Sequence, residues 1–158
     1  RETYRISVYG VFTVQEEVGL RGAQAAAYAI EPGLGLALEG TVCSDTPGSQ
    51  EHVQGTRLGQ GPAISVMDAT TIYNRRVIER LVQVAEKAGI PYQMRRITQG
   101  GNDAGRIHLA RAGAAVGALS VPCRYIHSPV SVLDLEDLVN TRRLLVEFLH
   151  SLEEGWTP

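Results

Sequence analysis

The sequence predicts a single three-layer α/β domain, a mixed sheet covered by helices on both faces. Three observations carry this. Apolar residues switch repeatedly between strand-like and helix-like periods along the chain. At 158 residues the chain is long enough to bury one continuous core. No internal repeat, low-complexity tract or linker divides it. With 44% hydrophobic residues, the composition is that of an ordinary globular protein.

The elements follow in order. Tyr4 to Val14 is rich in β-branched and aromatic residues and reads as a strand. Ala23 to Ile30 is Ala-rich and helical, stopped by Pro32 and Gly33. Leu34 to Cys43 reads as a buried strand, apolar on both faces, with Glu39 near its end. Asp45 to Gly48 is a turn, and the polar stretch Ser49 to Gly61 is a loop. Ala63 to Met67 is a short strand. Thr71 to Ala88 is a helix with apolar positions at Ile72, Val77, Ile78, Leu81, Val82 and Ala85, with Asp68 as its cap. Pro91 to Ile97 is a strand, Asp103 to Arg111 a short helix, Ala115 to Val121 a strand, and Leu135 to Leu152 a final helix.

Charge and composition narrow the function classes. The formal net charge is −2 and the basic residues are scattered, which argues against nucleic acid or an anionic membrane as the main partner. No run approaches the roughly 20 apolar residues of a membrane helix. Cys43 and Cys123 cannot build a disulfide framework, so a cytoplasmic location is expected. The chain opens at Arg1 and enters its first expected strand almost at once, which suggests a truncated or processed chain.

Three places carry chemistry. Glu16 and Glu17 are adjacent, and neighbours on a strand point to opposite faces. For both to serve one site the chain must bend there, which Gly19 and Gly22 permit; taken by spacing alone, a solvated acidic pair favouring a helix N-terminus fits better. Glu39 interrupts an apolar strand, where a buried carboxylate is costly unless paired or metal-bound; a strand-end glutamate facing solvent is the alternative. His127 follows a buried strand and sits beside Pro129, at the strand end where α/β sheets place their sites. A lone histidine is also commonly a packing or surface residue. Asp45 reads as a turn residue, and His52, His108 and His150 show no ligand spacing. No HExxH, P-loop, GxSxG or CxxC motif occurs.

The motif Val14-Gln-Glu-Glu-Val-Gly-Leu-Arg-Gly-Ala23 resembles the signature of the glutamyl aminopeptidase and "cellulase M" family of di-metal aminopeptidases, the family of the tetrahedral TET particles. Ala37-Leu-Glu-Gly-Thr41 with Asp45-Thr-Pro-Gly48, and Arg124-Tyr-Ile-His-Ser-Pro129, resemble two further segments of it. The resemblance implies a zinc-peptidase (phosphorylase/hydrolase-like) fold, with residues 1–158 forming the C-terminal part of the catalytic domain. It implies that Glu16 is the general base and that Glu17, Glu39 and His127 bind metal. Glu39 stands where many relatives carry Asp. Gly100-Gly-Asn-Asp-Ala104 resembles a loop near the substrate pocket, making Gly100, Gly101, Asn102 and Asp103 candidate substrate-binding residues, although a turn capping the next helix explains Asn102 or Asp103 equally well.

By the same resemblance the intact enzyme would hold two divalent ions, zinc or cobalt, hydrolyse peptides from a free N-terminus, and assemble into a homo-oligomer, a dodecamer. The family's upstream His-x-Asp and Asp-Asn-Arg segments and its inserted β-rich domain are absent from these residues. The chain alone is therefore expected to be inactive and to bind at most one ion weakly. Two alternatives stand beside this reading. One is an inactive fragment or degenerate relative serving as a structural or oligomerisation module. The other, glycoside hydrolysis, needs two carboxylates flanking a sugar bond and leaves His127 without a role.

Overall fold

A computed structural model describes residues 4, 6–152 and 156–158. Its elements are α1 (Arg21–Ile30), β1 (Leu34–Val42), β2 (Ala63–Ile64), α2 (Arg75–Ala88), β3 (Gln93–Met94), α3 (Ala104–Ile107), β4 (Ala115–Arg124), β5 (Val132–Leu133) and α4 (Leu135–Leu152), with a single 3₁₀ turn at Glu51–Val53. The strands form one mixed sheet in the order β1-β4-β2-β3, with β5 paired to β4. β1 runs parallel to β4, and β2 runs antiparallel to β4 and parallel to β3.

Helices cover both faces, and the two-residue period of the strands assigns each side. On β4, Leu119 faces α2 and α4, where Val77, Leu81, Leu144 and Phe148 complete a fully buried cluster. Val116 and Ala118 face the other way, packing with Ala37, Tyr73 and Ala104. A Cβ on Gly35 would meet Ile107 at 2.5 Å, and one on Gly117 would meet Val77 at 2.7 Å, so each glycine lets a helix close onto its face of the sheet.

Local chemistry fixes the helix ends. The Asn74 side chain accepts from Arg76 N (2.9 Å) and Val77 N (3.2 Å), and Gly89 closes α2 in the left-handed region. α4 is held from below by Asp137, a buried carboxylate that accepts from Gly59 N (2.8 Å) and Gly61 N (2.7 Å). No helix among the described residues is long and apolar enough to cross a membrane.

The structure departs from the sequence reading in several places. The expected strand Tyr4 to Val14 is not one: residues 6–14 join no ladder, and Phe12 is 99% exposed. Its Arg5 lies outside the described residues. β-propensity alone does not make a strand, which needs a partner edge for its backbone groups. β1 is not buried on both faces, since Leu38 is 51% exposed. It lies at the edge of the described sheet, paired on one side alone. The expected strands at 63–67 and 91–97 shrink to two residues each, and the short helix from Asp103 shrinks to four. β4 runs three residues beyond Val121, to Arg124. Asp68 does not cap α2, because that helix begins at Arg75 and Asn74 caps it. Instead the Asp68 carboxylate closes its own turn, accepting from Thr70 N (2.8 Å) and Thr71 N (2.9 Å).

Leu119 sits at the centre of the larger cluster, fully buried. Leu119→Ala should cost about 2–5 kcal/mol of unfolding free energy, the range for a truncated core leucine that leaves a cavity. Denaturant melts of the two chains check this.

Candidate active site

Glu16 and Glu17 lie in a loop that folds back onto the start of α1. Gly22 N donates to Val14 O (2.9 Å), Arg21 N to Gln15 O (3.2 Å) and Leu20 N to Glu16 O (3.0 Å). The bend uses left-handed backbone at Gln15 (φ 58°), Gly19 (φ 116°) and Leu20 (φ 58°). Gly22 has a different job from the one expected. It lies in the helix, and a Cβ there would stand 2.4 Å from Val14 O and 2.5 Å from Val14 N. Its bare backbone therefore lets the loop close.

His127 lies in the loop beyond β4, where Tyr125 (φ 60°) and His127 (φ 65°) are also left-handed. Each non-glycine residue held there costs on the order of 1–2 kcal/mol. Strain of this kind persists where the surroundings impose it, and it clusters at functional sites. The bend brings His127 Nε2 to 3.9 Å from Glu17 Oε1.

Glu39 comes from the far end of β1, opposite Ser120 in the β1–β4 register. It is half-buried, and its Oε1 accepts from Asn102 Nδ2 (2.8 Å) and Ser120 Oγ (3.3 Å). Burial pushes the Glu39 carboxyl up to about 7, with the bonds from Asn102 and Ser120 and the charge of Arg95 opposing, and Glu16 adding to the rise. Burial also raises the Glu16 carboxyl, followed by the negative charges of Glu17 and Asp103, while His127 pulls it down. These mutual influences place Glu16 within electrostatic reach of Glu17, Glu39, Asp103 and His127.

One cleft holds the group. Glu16, Glu17, Glu39 and His127 line it together with Gly100, Gly101, Asn102 and Asp103. The Gly100 loop is tied to the turn at Asp68, since Ala69 N donates to Gly100 O (2.9 Å), and a Cβ on Gly101 would meet Thr70 Cγ2 at 2.6 Å. Thr13 Oγ1 donates to Asp103 Oδ2 (2.6 Å), joining this loop to the Glu16 loop. Asp103 makes no side-chain cap to α3, whereas Asn102 Oδ1 accepts from Ala104 N (2.9 Å). Asp45, expected in a turn, is paired with Arg124 at 2.6 Å, and that guanidinium holds its carboxyl well below the usual range.

Carboxylate oxygens with one imidazole make a donor set suited to divalent ions such as zinc or cobalt. Among the described residues, however, no three His, Cys, Asp or Glu side chains are close enough together to hold an ion. Glu17 and His127 supply a pair. Sequence reading missed Tyr73, Ser120 and Thr13 as partners of the site, because their roles arise from contacts 29 to 90 residues away in the chain.

A family model for the M42 glutamyl aminopeptidases matches residues 1–144. The chain belongs to this family. Its fold is close to that of aminopeptidase APDkam598 from the archaeon Desulfurococcus kamchatkensis, with a TM-score of 0.88 and 47% identity over 91% of this chain and 41% of that one. The lysyl aminopeptidase of Pyrococcus furiosus is 36% identical over 157 residues, 98% of this chain and 44% of the relative. The TET1 peptidase of Pyrococcus horikoshii, described as able to assemble into a tetrahedron or a large octahedral shell, gives a TM-score of 0.74 at 37% identity, covering 88% of this chain and 39% of that one. The chain thus spans about two fifths of the length of these relatives.

The raised Glu39 carboxyl has a pH consequence in this M42 chain. The folded state holds its proton more tightly than the unfolded chain, so stability falls as pH rises from the ordinary value of 4.5 to about 7. In chelator-treated protein Glu39→Gln should remove this loss, gaining up to about 3 kcal/mol over the parent at pH 8. The advantage should vanish below pH 4.5, as read from denaturant melts across the range.

Proposed function

We propose that this chain supplies the general base and part of the metal site of an aminopeptidase that removes N-terminal residues from peptides, the chain forming the C-terminal part of its catalytic domain. The observation that carries this reading is the approach of His127 to Glu17, 3.9 Å apart, in a cleft that Glu16 and Glu39 also line, in a chain of the M42 family. In the whole protein Glu17, Glu39 and His127 contribute ligands for two divalent ions, zinc or cobalt. Such ions supply Lewis-acid activation of water and of the scissile carbonyl.

Glu16 serves as the base. It stands beside the Glu17–His127 pair without being the residue paired to the imidazole. Burial and the adjoining carboxylates raise its affinity for a proton, the direction a general base operating near neutrality requires. Its carboxylate takes the proton of the attacking water, and the protonated acid then returns it to the departing amine. The Gly100–Asp103 loop forms the neighbouring wall, where the substrate's N-terminal residue lies. By likeness to the TET1 peptidase, the protein acts as a homo-oligomer.

The two glutamates can be told apart in the full-length protein. Glu16→Gln should lower turnover by about 10²–10⁴-fold while metal content stays near that of the parent, because an amide of the same shape cannot accept the proton. Glu17→Gln and His127→Ala should lose metal as well as turnover. Metal analysis beside a peptidase assay reads both, and metal loss from Glu16→Gln alone would reverse the two roles.

The isolated chain should be inactive, since among the described residues Glu17 and His127 bring two donors together without a third in reach. Aminoacyl-p-nitroanilide hydrolysis with added zinc or cobalt tests this, and turnover comparable to a full-length relative would contradict it.

A further inference from the structure

Behind Glu39 lies a buried polar chain that the reaction itself does not use. Asp68, Tyr73, Asn102 and Ser120 are each at most 6% exposed. Tyr73 Oη donates to Asp68 Oδ2 (2.5 Å). Asn102 Nδ2 donates both to Tyr73 Oη (2.8 Å) and to Glu39 Oε1 (2.8 Å).

Every direction in this chain is determined. Asp68 Oδ1 accepts from Thr70 N, Thr70 Oγ1 and Thr71 N at 2.8–2.9 Å, and Oδ2 accepts from the tyrosine, so the group acts wholly as an acceptor. The Tyr73 proton is therefore committed to Asp68, and burial and that carboxylate both raise the phenol further from ionisation. Its oxygen is left to accept. Asn102 Oδ1 accepts from Ala104 N, which fixes the amide and aims both hydrogens of Nδ2 at Tyr73 and Glu39. With Ser120 Oγ also donating, Glu39 Oε1 is engaged twice, while Oε2 takes no hydrogen bond from the described residues.

We infer that Asp68, Tyr73 and Asn102 are positioning residues for Glu39: the relay binds Oε1 from inside the protein and leaves Oε2 as the oxygen offered to a divalent ion in the cleft. This rests on the reading of Glu39 as a metal ligand. A glutamate has one more rotatable bond than an aspartate, so presenting a fixed oxygen requires a partner of this kind. Outer partners that orient metal ligands typically change affinity by 10–100-fold when removed. Asn102 thereby acts on the site through Glu39.

Zinc affinity of the full-length protein, measured by competition with a chelating dye, tests the relay without recourse to activity. Tyr73→Phe keeps the ring in the core and removes the hydroxyl. Asn102→Ala removes the amide and serves as a second reading should the tyrosine variant not fold. Each should weaken zinc binding by about tenfold or more. In a Glu39→Ala background neither should weaken it further, because the ligand they orient is gone, whereas a general loss of packing would act equally in both backgrounds. Zinc affinity within twofold of the parent in a folded single variant, or an equal loss in the Glu39→Ala background, overturns the inference. If Glu39→Ala itself leaves zinc affinity unchanged, the metal reading of Glu39 fails and the relay's role fails with it. If Glu39→Ala weakens binding and the folded relay variants do not, the relay alone is refuted.

Discussion

The parallel pairing of β1 with β4, nine residues in continuous register, sets most of what surrounds the cleft. Because side chains alternate along a strand, that register decides which residues face α3 and which face α2 and α4. It sets Glu39 opposite Ser120 and keeps both on the face that carries Ala37, Ala118 and Tyr73. A slip of one residue would turn Glu39 toward the apolar cluster around Leu119 and Phe148 and strip it of Ser120 and Asn102. Leu36 and Gly117 hold the register from the other side, where Val77 packs against the bare backbone of Gly117.

Around this rigid pair the cleft is assembled from loops whose shapes are imposed. Gln15, Leu20, Tyr125 and His127 all occupy left-handed backbone without being glycine. Nothing in the side chains of leucine or tyrosine favours that conformation. Closure of the Glu16 loop onto Gly22, and the turn that follows β4, hold them there. The loops also concentrate negative charge. Glu16, Glu17, Glu39 and Asp103 share the cleft with His127 and with Arg95, whose Nε donates to Thr41 Oγ1. Burial and like charge make ionising Glu16 and Glu39 more costly than in water, a cost that a bound cation would relieve.

Much of this was legible in the sequence. The alternation of periods gave the three-layer domain, α4 was placed at about Leu135 to Leu152, and the amphipathic stripe of α2 was visible at Val77, Leu81 and Ala85. The motifs around Glu16, Glu39 and His127 pointed to one family and one candidate site. These signals are local: a helix period, a run of β-branched residues, or a motif of six to ten residues is complete within its own segment.

What tertiary structure alone decided has a common physical character. Whether Tyr4 to Val14 forms a strand depends on a partner edge, and its composition carries no record of one. Asp68 looked like a cap because caps are recognised by short spacing, yet its second oxygen is engaged by Tyr73. The bond from Asn102 to Glu39 joins residues 63 apart, and that from Thr13 to Asp103 joins residues 90 apart. Side-chain hydrogen bonds of that reach depend on where the backbone brings two groups, and only the folded chain specifies it.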